Sequence, residues 1–397
     1  MGNADKEHFD SYRDQTRIKH TILERYLRAY FTIMNKRADR LVYIDGFAGR
    51  GSYASQTGPV DGSPLRALGA IASIERLRGK VETLFIERDR RYLKSLQEAV
   101  ELFCIEEPDL LRPELGEGRF ARVLTDKLDA AERAGSRLPP TFLFVDPCGV
   151  QGTSFEVISR VLERPLCEAF IFFNLDGISR IIGQDNSDSE TLAEVLGSEA
   201  RVKDFLDALR PLRNPQARED HIIHTYRNLL SNETPATYIA PFRVEFEERR
   251  RTSHYLIHAT KHKLGFKIMK DIMWQNGRRQ DGPGGLEYQQ ASMEKQFSMF
   301  DYQQATVVKT ITRELETCTR CRVEHFTDQL AGRAEDLVAP RGYRDALQHM
   351  ERQGTIIVEA KDGSGERAKR QPGTLGDEYF VTLSRNHAPP QTSMFRP

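Results

Sequence analysis

Cysteine is scarce in this chain: five residues among 397, scattered except for Cys318 and Cys321. A disulfide framework of the secreted kind is therefore not indicated, and the cysteine usage reads as a reducing, cytoplasmic setting. No signal-peptide pattern opens the chain, and Lys6 stands where a myristoylation signal needs Ser or Thr. Long apolar runs are absent too, none approaching the ~18 residues a membrane span requires, so no membrane partner is expected. Excess charge is missing: Lys+Arg and Asp+Glu both total 58, giving a net charge of zero. That balance excludes a globally basic nucleic-acid binder while leaving room for a local basic patch. There is no HExxH, no P-loop lysine motif and no serine nucleophile elbow. Cys318-Thr319-Arg320-Cys321 has the spacing of half a zinc site, but no second pair completes it, so no metal is expected.

What is present begins with Leu41-Val42-Tyr43-Ile44-Asp45-Gly46-Phe47-Ala48-Gly49-Arg50-Gly51. Four apolar residues predict a short buried strand, an acid marks its end, and three glycines within six positions let backbone approach a nucleotide-like ligand. Before it, Ile18, Ile22, Leu23, Tyr26, Leu27, Tyr30 and Phe31 recur at helical spacing, with Lys19 and His20 at the helix start. After it, Gly62-Ser63-Pro64 predicts a helix start whose free N–H groups suit an anionic group, although capping explains Ser63 equally well. Val81–Ile86 reads as the second strand, ending in Glu87 with Asp89 as a rival acid. Phe120–Leu124, ending in Thr125-Asp126, reads as the third. Thr141–Val145 is the clearest, apolar throughout as a central parallel strand should be, and Asp146-Pro147 follows it. A fifth run, 169–175, precedes a polar, helix-prone insertion over 177–235 that places Asn174, Arg180 and the 187–189 region near the cleft. The runs 238–246 and 254–259 read as an antiparallel hairpin.

Five parallel strands and a hairpin make seven, the architecture of a class I methyltransferase sheet, a Rossmann-like α/β fold. Asp45, Glu87, Asp126 and Asp146 then stand at four of its strand ends. Residues 265–274 predict an amphipathic helix whose Met and Trp side chains belong to the core. The Gly/Pro/Arg-rich stretch 276–285 is the expected domain boundary, dividing 1–285 from 286–397. The second part reads as three helices and a strand pair, a winged-helix-like pattern, with Lys361, Arg367, Lys369 and Arg370 in the loop between its strands. Those four are the candidate nucleic-acid contacts. Acidic and basic residues nearly balance in this part, so DNA or RNA contact and protein contact remain equal alternatives.

Four stretches in order, 43–51, Gly62-Ser63-Pro64-Leu65, Asp146-Pro147-Cys148-Gly149 and 262–274, resemble the three-Cys-motif partner protein (TcmP) family, bacterial proteins with a methyltransferase-like fold. Cys148 stands where that family usually has an aromatic residue. The resemblance implies a protein partner that carries the three-Cys motif. Similarity to class I methyltransferases further implies S-adenosylmethionine (SAM) as cofactor. Asp45, Gly46, Phe47, Gly49 and Gly51 would then surround its amino-acid part, with Ser63 from the following helix start. Glu87 would hold the ribose hydroxyls, Asp126 the adenine amino group, and Asp146 with Pro147 would sit nearest the transferring methyl. Base amino-methyltransferases follow that Asp-Pro with a second proline and an aromatic; Cys148 and Gly149 replace both and remove the stacking platform for a flipped base.

The resulting expectation is a SAM-dependent methyltransferase acting on nucleic acid or a nucleic-acid-associated target together with a partner. The alternative is a non-catalytic, or differently catalytic, nucleotide- or partner-binding module of a DNA-modification or defence system. A dehydrogenase is weaker, because Gly46-x-x-Gly49-x-Gly51 differs from the dinucleotide fingerprint.

Overall fold

The computed structural model describes residues 14–53, 58–136, 138–183, 189–245, 251–279, 282–283, 287–288, 299–359 and 373–384. The chain divides into two compact units, Met1–Ile272 and Met273–Pro397, a few residues before the loop expected to carry the boundary.

In the first unit the sheet strands are β1 (Leu41–Asp45), β2 (Val81–Glu87), β3 (Glu114–Glu117), β4 (Thr141–Val145), β5 (Glu168–Phe173), β6 (Tyr238–Glu245) and β7 (Thr252–Thr260). They lie in the order β3-β2-β1-β4-β5-β7-β6. The pairs β1–β2, β1–β4, β2–β3 and β4–β5 are parallel, while β7 runs antiparallel to both β5 and β6. This is the seven-stranded methyltransferase-type sheet that the run of apolar segments predicts. The order reverses between β1 and β4, where an open α/β sheet leaves a crevice at its carboxyl edge.

Alternation along each strand gives the sheet two different faces. Val42, Ile44, Leu84, Ile86, Leu143, Val145 and Ile171 form an aliphatic face. It is covered by α4 (Phe120–Arg133), α5 (Phe155–Leu162) and the insertion helices α7 (Ser189–Leu196), α8 (Glu199–Leu209) and α9 (Pro215–Glu233). The opposite face is aromatic: Tyr43, Phe85, Phe142, Phe144 and Phe170 are all fully buried. Against it lies α1 (Asp14–Met34), whose Tyr26 and Tyr30 rings sit 5.6 and 5.4 Å from that of Phe142. The remaining helices of this unit are α2 (Ser63–Ala72), α3 (Arg90–Glu106), α6 (Leu175–Ile182) and α10 (Lys263–Asn276), the last continuing across the division.

Two expectations fail here. Phe120–Leu124 is no strand but the first turns of α4, because Phe120, Leu124 and Leu128 bury one stripe at a spacing of four. The third strand is the short edge segment Glu114–Glu117, only one of whose residues is buried. The fifth strand also stops earlier than expected, since Asn174 caps α6 by accepting a hydrogen bond from the Gly177 N–H at 2.9 Å.

The second unit contains α11 (Met299–Cys318), α12 (Pro340–Arg352) and strands β8 (Cys321–Arg322), β9 (Ile356–Glu359) and β10 (Phe380–Leu383), in the antiparallel order β8-β10-β9. The segment expected as its second helix is a π-helical turn, His325–Leu330. Ile311, Leu315, Val323, Phe326, Leu347 and Val381 form its core. Cys318 and Cys321 are joined as a disulfide, so the apparent metal half-site is a cross-link. The basic candidates Lys361, Arg367, Lys369 and Arg370 lie outside the described residues. No helix among the described residues is long and apolar enough to cross a membrane.

A buried polar group ties α1 to the aromatic face. Glu168, at the start of β5, accepts hydrogen bonds from the Tyr26 hydroxyl at 2.6 Å and the Thr260 hydroxyl at 2.8 Å, and meets His258 Nε2 at 2.8 Å. Burial opposes its ionisation, but the His258 contact and the two hydroxyls outweigh burial and leave its carboxyl below the usual glutamate value. The stability it contributes is therefore present above the unfolded pKa and lost as pH falls through the lowered folded value. Glu168→Ala is expected to cost about 3–5 kcal/mol in urea unfolding at pH 7, because it strands three buried partners, and to flatten the acid limb of the stability curve.

Candidate functional site

The expected cofactor end is built from the tip of β1. Its loop does not lift away from the sheet: the Gly46 N–H donates to the Phe144 carbonyl of β4, and the Ala48 N–H to the Ile86 carbonyl of β2, both at 2.9 Å. The backbone thus straddles the reversal point of the sheet. Two glycines are required by neighbours rather than by a ligand. A Cβ on Gly46 would lie 2.6 Å from the Phe120 ring, and one on Gly51 would lie 3.1 Å from Leu96 of α3. Gly49 differs. Its φ of +64° is matched by +85° at Gly51, but a Cβ on Gly49 would meet only the Tyr53 hydroxyl, at 3.5 Å. Of the three, Gly49 is the one that leaves room beside the backbone.

Glu87 at the tip of β2 locks this loop. Its Oε2 accepts from the Gly49 N–H at 2.9 Å and its Oε1 from the Asp89 N–H at 2.7 Å. Each oxygen keeps a further lone pair, so the carboxylate is oriented and still able to accept from a diol. Asp89, the rival acid, is occupied elsewhere: it caps α3 through the Arg91 N–H at 2.8 Å, and the Arg91 guanidinium helps hold it down to about 2.

Asp45 is fully buried, accepting from the Phe47 N–H at 3.1 Å and from the Ser63 hydroxyl. Burial pushes its carboxyl up to about 7 against the pull of those hydrogen bonds; Asp146 adds to the rise and Lys19 opposes it. Ser63 is not the cap of α2, since Gly62 occupies that position and Ser63 begins the helix. The Phe47 ring packs on Phe120 at 5.4 Å. Asp126 departs from the expected site altogether. It rides on α4 with 71% of its side chain exposed, 4.0 Å from Arg122, because the strand whose end it was to mark is a helix.

The other half of the edge lies over β4, β5 and β7. Asp146 follows β4, and its Oδ2 is paired with the Lys19 ammonium of α1; their side chains are only 16% and 11% exposed. Pro147 is buried while Cys148 is exposed. Lys19 also lies 5.2 Å from the ring centre of Phe172 on β5, which stacks at 4.2 Å on His254 of β7. His254 Nδ1 meets the Ser253 hydroxyl at 3.0 Å, and its Nε2 is buried without a hydrogen-bond partner. Burial and the Lys19 charge both push the His254 imidazole well down, so it is neutral. Of the cleft candidates, Asn174 is spent on capping and Arg180 pairs with Asp176 at 3.2 Å; 184–188 lie outside the described residues.

Phe172 and His254 were not legible as site residues. Their signal is positional, arising only when β7 runs antiparallel beside β5 and brings its first residues to the carboxyl edge. A cavity of about 300 Å³ among Phe205, His221 and Asn228 of the insertion involves none of these groups.

No family model and no curated protein matches the chain. Among solved structures, a Legionella pneumophila str. Philadelphia 1 protein of the family DUF519 is 12% identical, with a TM-score of 0.36 over 64% of this chain and 90% of that one. A precorrin-6y C5,15-methyltransferase from Geobacter metallireducens GS-15 is 13% identical, with a TM-score of 0.29 over 59% and 87%. A putative O-methyltransferase from Klebsiella pneumoniae is 12% identical, with a TM-score of 0.32 over 60% and 80%. Likenesses this remote carry no weight; the strand order and the residues at the strand tips stand without them.

Asp45 has a measurable consequence. Its folded pKa lies above the unfolded one, so its contribution is fully present below pH 4 and lost as pH rises towards about 7. The loss is on the order of 4 kcal/mol. Asp45→Asn is expected to remove that slope, making the variant more stable than the parent at pH 8 and little different at pH 4 in urea unfolding.

Proposed function

We propose that the first unit is a SAM-dependent methyltransferase. One observation carries this: in a sheet ordered β3-β2-β1-β4-β5-β7-β6, Asp45, the Gly49 backbone, Glu87 and Asp146 occupy the tips of β1, β2 and β4 around the reversal point. The residues fit the cofactor. Gly49 leaves space beside its backbone, Glu87 presents an oriented carboxylate for ribose hydroxyls, and Asp45 with Ser63 offers a polar buried end for the amino-acid part. When bound, SAM supplies an electrophilic methyl. The protein's own task is then chiefly to align an acceptor lone pair and exclude water, which the dry surroundings of Asp146, Phe172 and His254 favour. His254 Nε2, neutral and partnerless, is placed to hydrogen-bond the acceptor, while burial and the Lys19 charge disfavour its taking up a proton.

The acceptor in this proposal is nucleic acid or a nucleic-acid-associated target. Supporting it are the winged-helix-like run of elements in the second unit and the basic residues between β9 and β10; the resemblance to the three-Cys-motif partner family adds a protein partner. Asp126 is left out of the adenine role, and the segment after β3, Gly118-Arg119-Phe120, takes its place at the strand tip. The second reading, a nucleotide- or partner-binding module without catalysis, is favoured by exposed Cys148 and by Gly149, which offer no ring for a flipped base.

Calorimetric titration with SAM and S-adenosylhomocysteine (SAH) tests the first reading. Binding by the parent is expected to weaken about 10–100-fold in Glu87→Ala, which loses a charged acceptor, and comparably in Gly49→Val, which is strained at positive φ. No binding of either ligand to the parent sinks the methyltransferase reading and leaves the binding-module reading in front.

A further inference from the structure

The ion pair between Lys19 and Asp146 is the least expected feature of the carboxyl edge. An acid at the tip of β4 is part of the sheet's layout. A lysine delivered to it from the helix before β1 is not. The pair is shielded from water, and Lys19 has close neighbours on every side that faces the edge: Asp146, the Phe172 ring, and the two histidines His20 and His254. Both imidazoles are buried and neutral, so Lys19 and Asp146 are the charged members of this group; the nearby acid that feels both is Asp45, whose carboxyl burial pushes up to about 7. Lys19 and Asp146 cancel one another where the proposed reaction removes a positive charge, as a sulfonium becomes a thioether.

We propose that Lys19 is the charge-setting residue of the methyl-transfer site, neutralising Asp146 so that the tip of β4 gives the cationic cofactor no net anionic partner. This rests on the methyltransferase reading above. A carboxylate left alone beside the sulfonium would stabilise the charged reactant over both the transition state, where that charge is dispersing, and the uncharged product. Lys19 removes that penalty while fixing Asp146 in direction. In the transfer itself the acceptor atom would form a bond to the methyl carbon, the carbon–sulfur bond would break with its electron pair passing to sulfur, and the acceptor's proton would leave to water. Lys19 takes no part in bond making and is a positioning residue. Its position also makes Asp146 unsuited as the general base, since its Oδ2 already accepts from the ammonium.

The test compares ligands differing in charge at the reacting atom. SAM carries the sulfonium, sinefungin an amine in the same place, and SAH neither. Calorimetric affinities of all three are measured on the parent, Lys19→Met, Lys19→Gln and Asp146→Asn. Removing the lysine is expected to raise affinity for SAM and sinefungin about tenfold relative to SAH, and Asp146→Asn to lower it by a similar factor. Unchanged SAH binding shows that each variant is folded. Equal changes for all three ligands would mean Lys19 merely supports the loop, which overturns the inference while leaving the cofactor reading intact. Failure of every ligand to bind the parent overturns both.

Discussion

The strand β1 must end between two neighbours that continue past it on either side. Its next residues therefore turn within hydrogen-bonding distance of both, and Gly46 and Ala48 donate to carbonyls of β4 and β2 respectively. Much else follows from that low turn. The Phe120 ring closes over Gly46, Leu96 and Ala99 of α3 pack on Gly51, and the chain returns through Gly62, whose N–H donates to the Gly51 carbonyl at 2.8 Å. Of the three glycines of the turn, Gly49 is the one with space for a Cβ, and Glu87 pins that residue by its amide. The cofactor end is thus a by-product of how tightly the turn is packed from below.

This changes what the three glycines mean. As a pattern they suggest ligand approach three times over, whereas the structure assigns two of them to packing against other elements and one to the open side. A pattern read along the chain cannot separate these uses, because the atoms that forbid a Cβ belong to Phe120 and Leu96, 74 and 45 residues away from the glycines they exclude. The strands β2 and β4 were legible because nearly continuous apolar runs bounded by acids leave few alternatives. The third strand was not. Edge burial asks for little hydrophobicity, so Glu114–Glu117 carries almost none, while the apolar run beside it has a helical period. Asp126 was misplaced for that reason alone. Lys19 and His20 were visible as polar residues at the start of an amphipathic helix, but what they face depends on the register of α1 over β4, and His254 depends on the direction of β7.

The two ends of the carboxyl edge differ in character. Around Asp45 and Glu87 the polar groups are held by backbone amides and a serine hydroxyl, with lone pairs of Glu87 still open to a ligand. Around Asp146 the charges are paired, the rings are stacked, and one imidazole nitrogen has no partner. Binding is expected from the first end and reaction from the second. The missing aromatic after Asp146-Pro147 fits this division, since Phe172 and His254 already supply flat surfaces there, arriving from β5 and β7.

Helix α1 precedes the described strands, yet besides the early helix α2 its partners include late ones. Tyr26 meets Glu168, 142 positions further on, and Lys19 neighbours His254 at the start of β7. Until β5 and β7 have left the ribosome, the apolar stripe from Ile22 to Phe31 has no complete surface to cover. Nascent chains therefore carry an incompletely buried amphipathic helix until β7 has emerged. A holding chaperone would find its first target there, and truncation within β7 would leave that helix exposed for good.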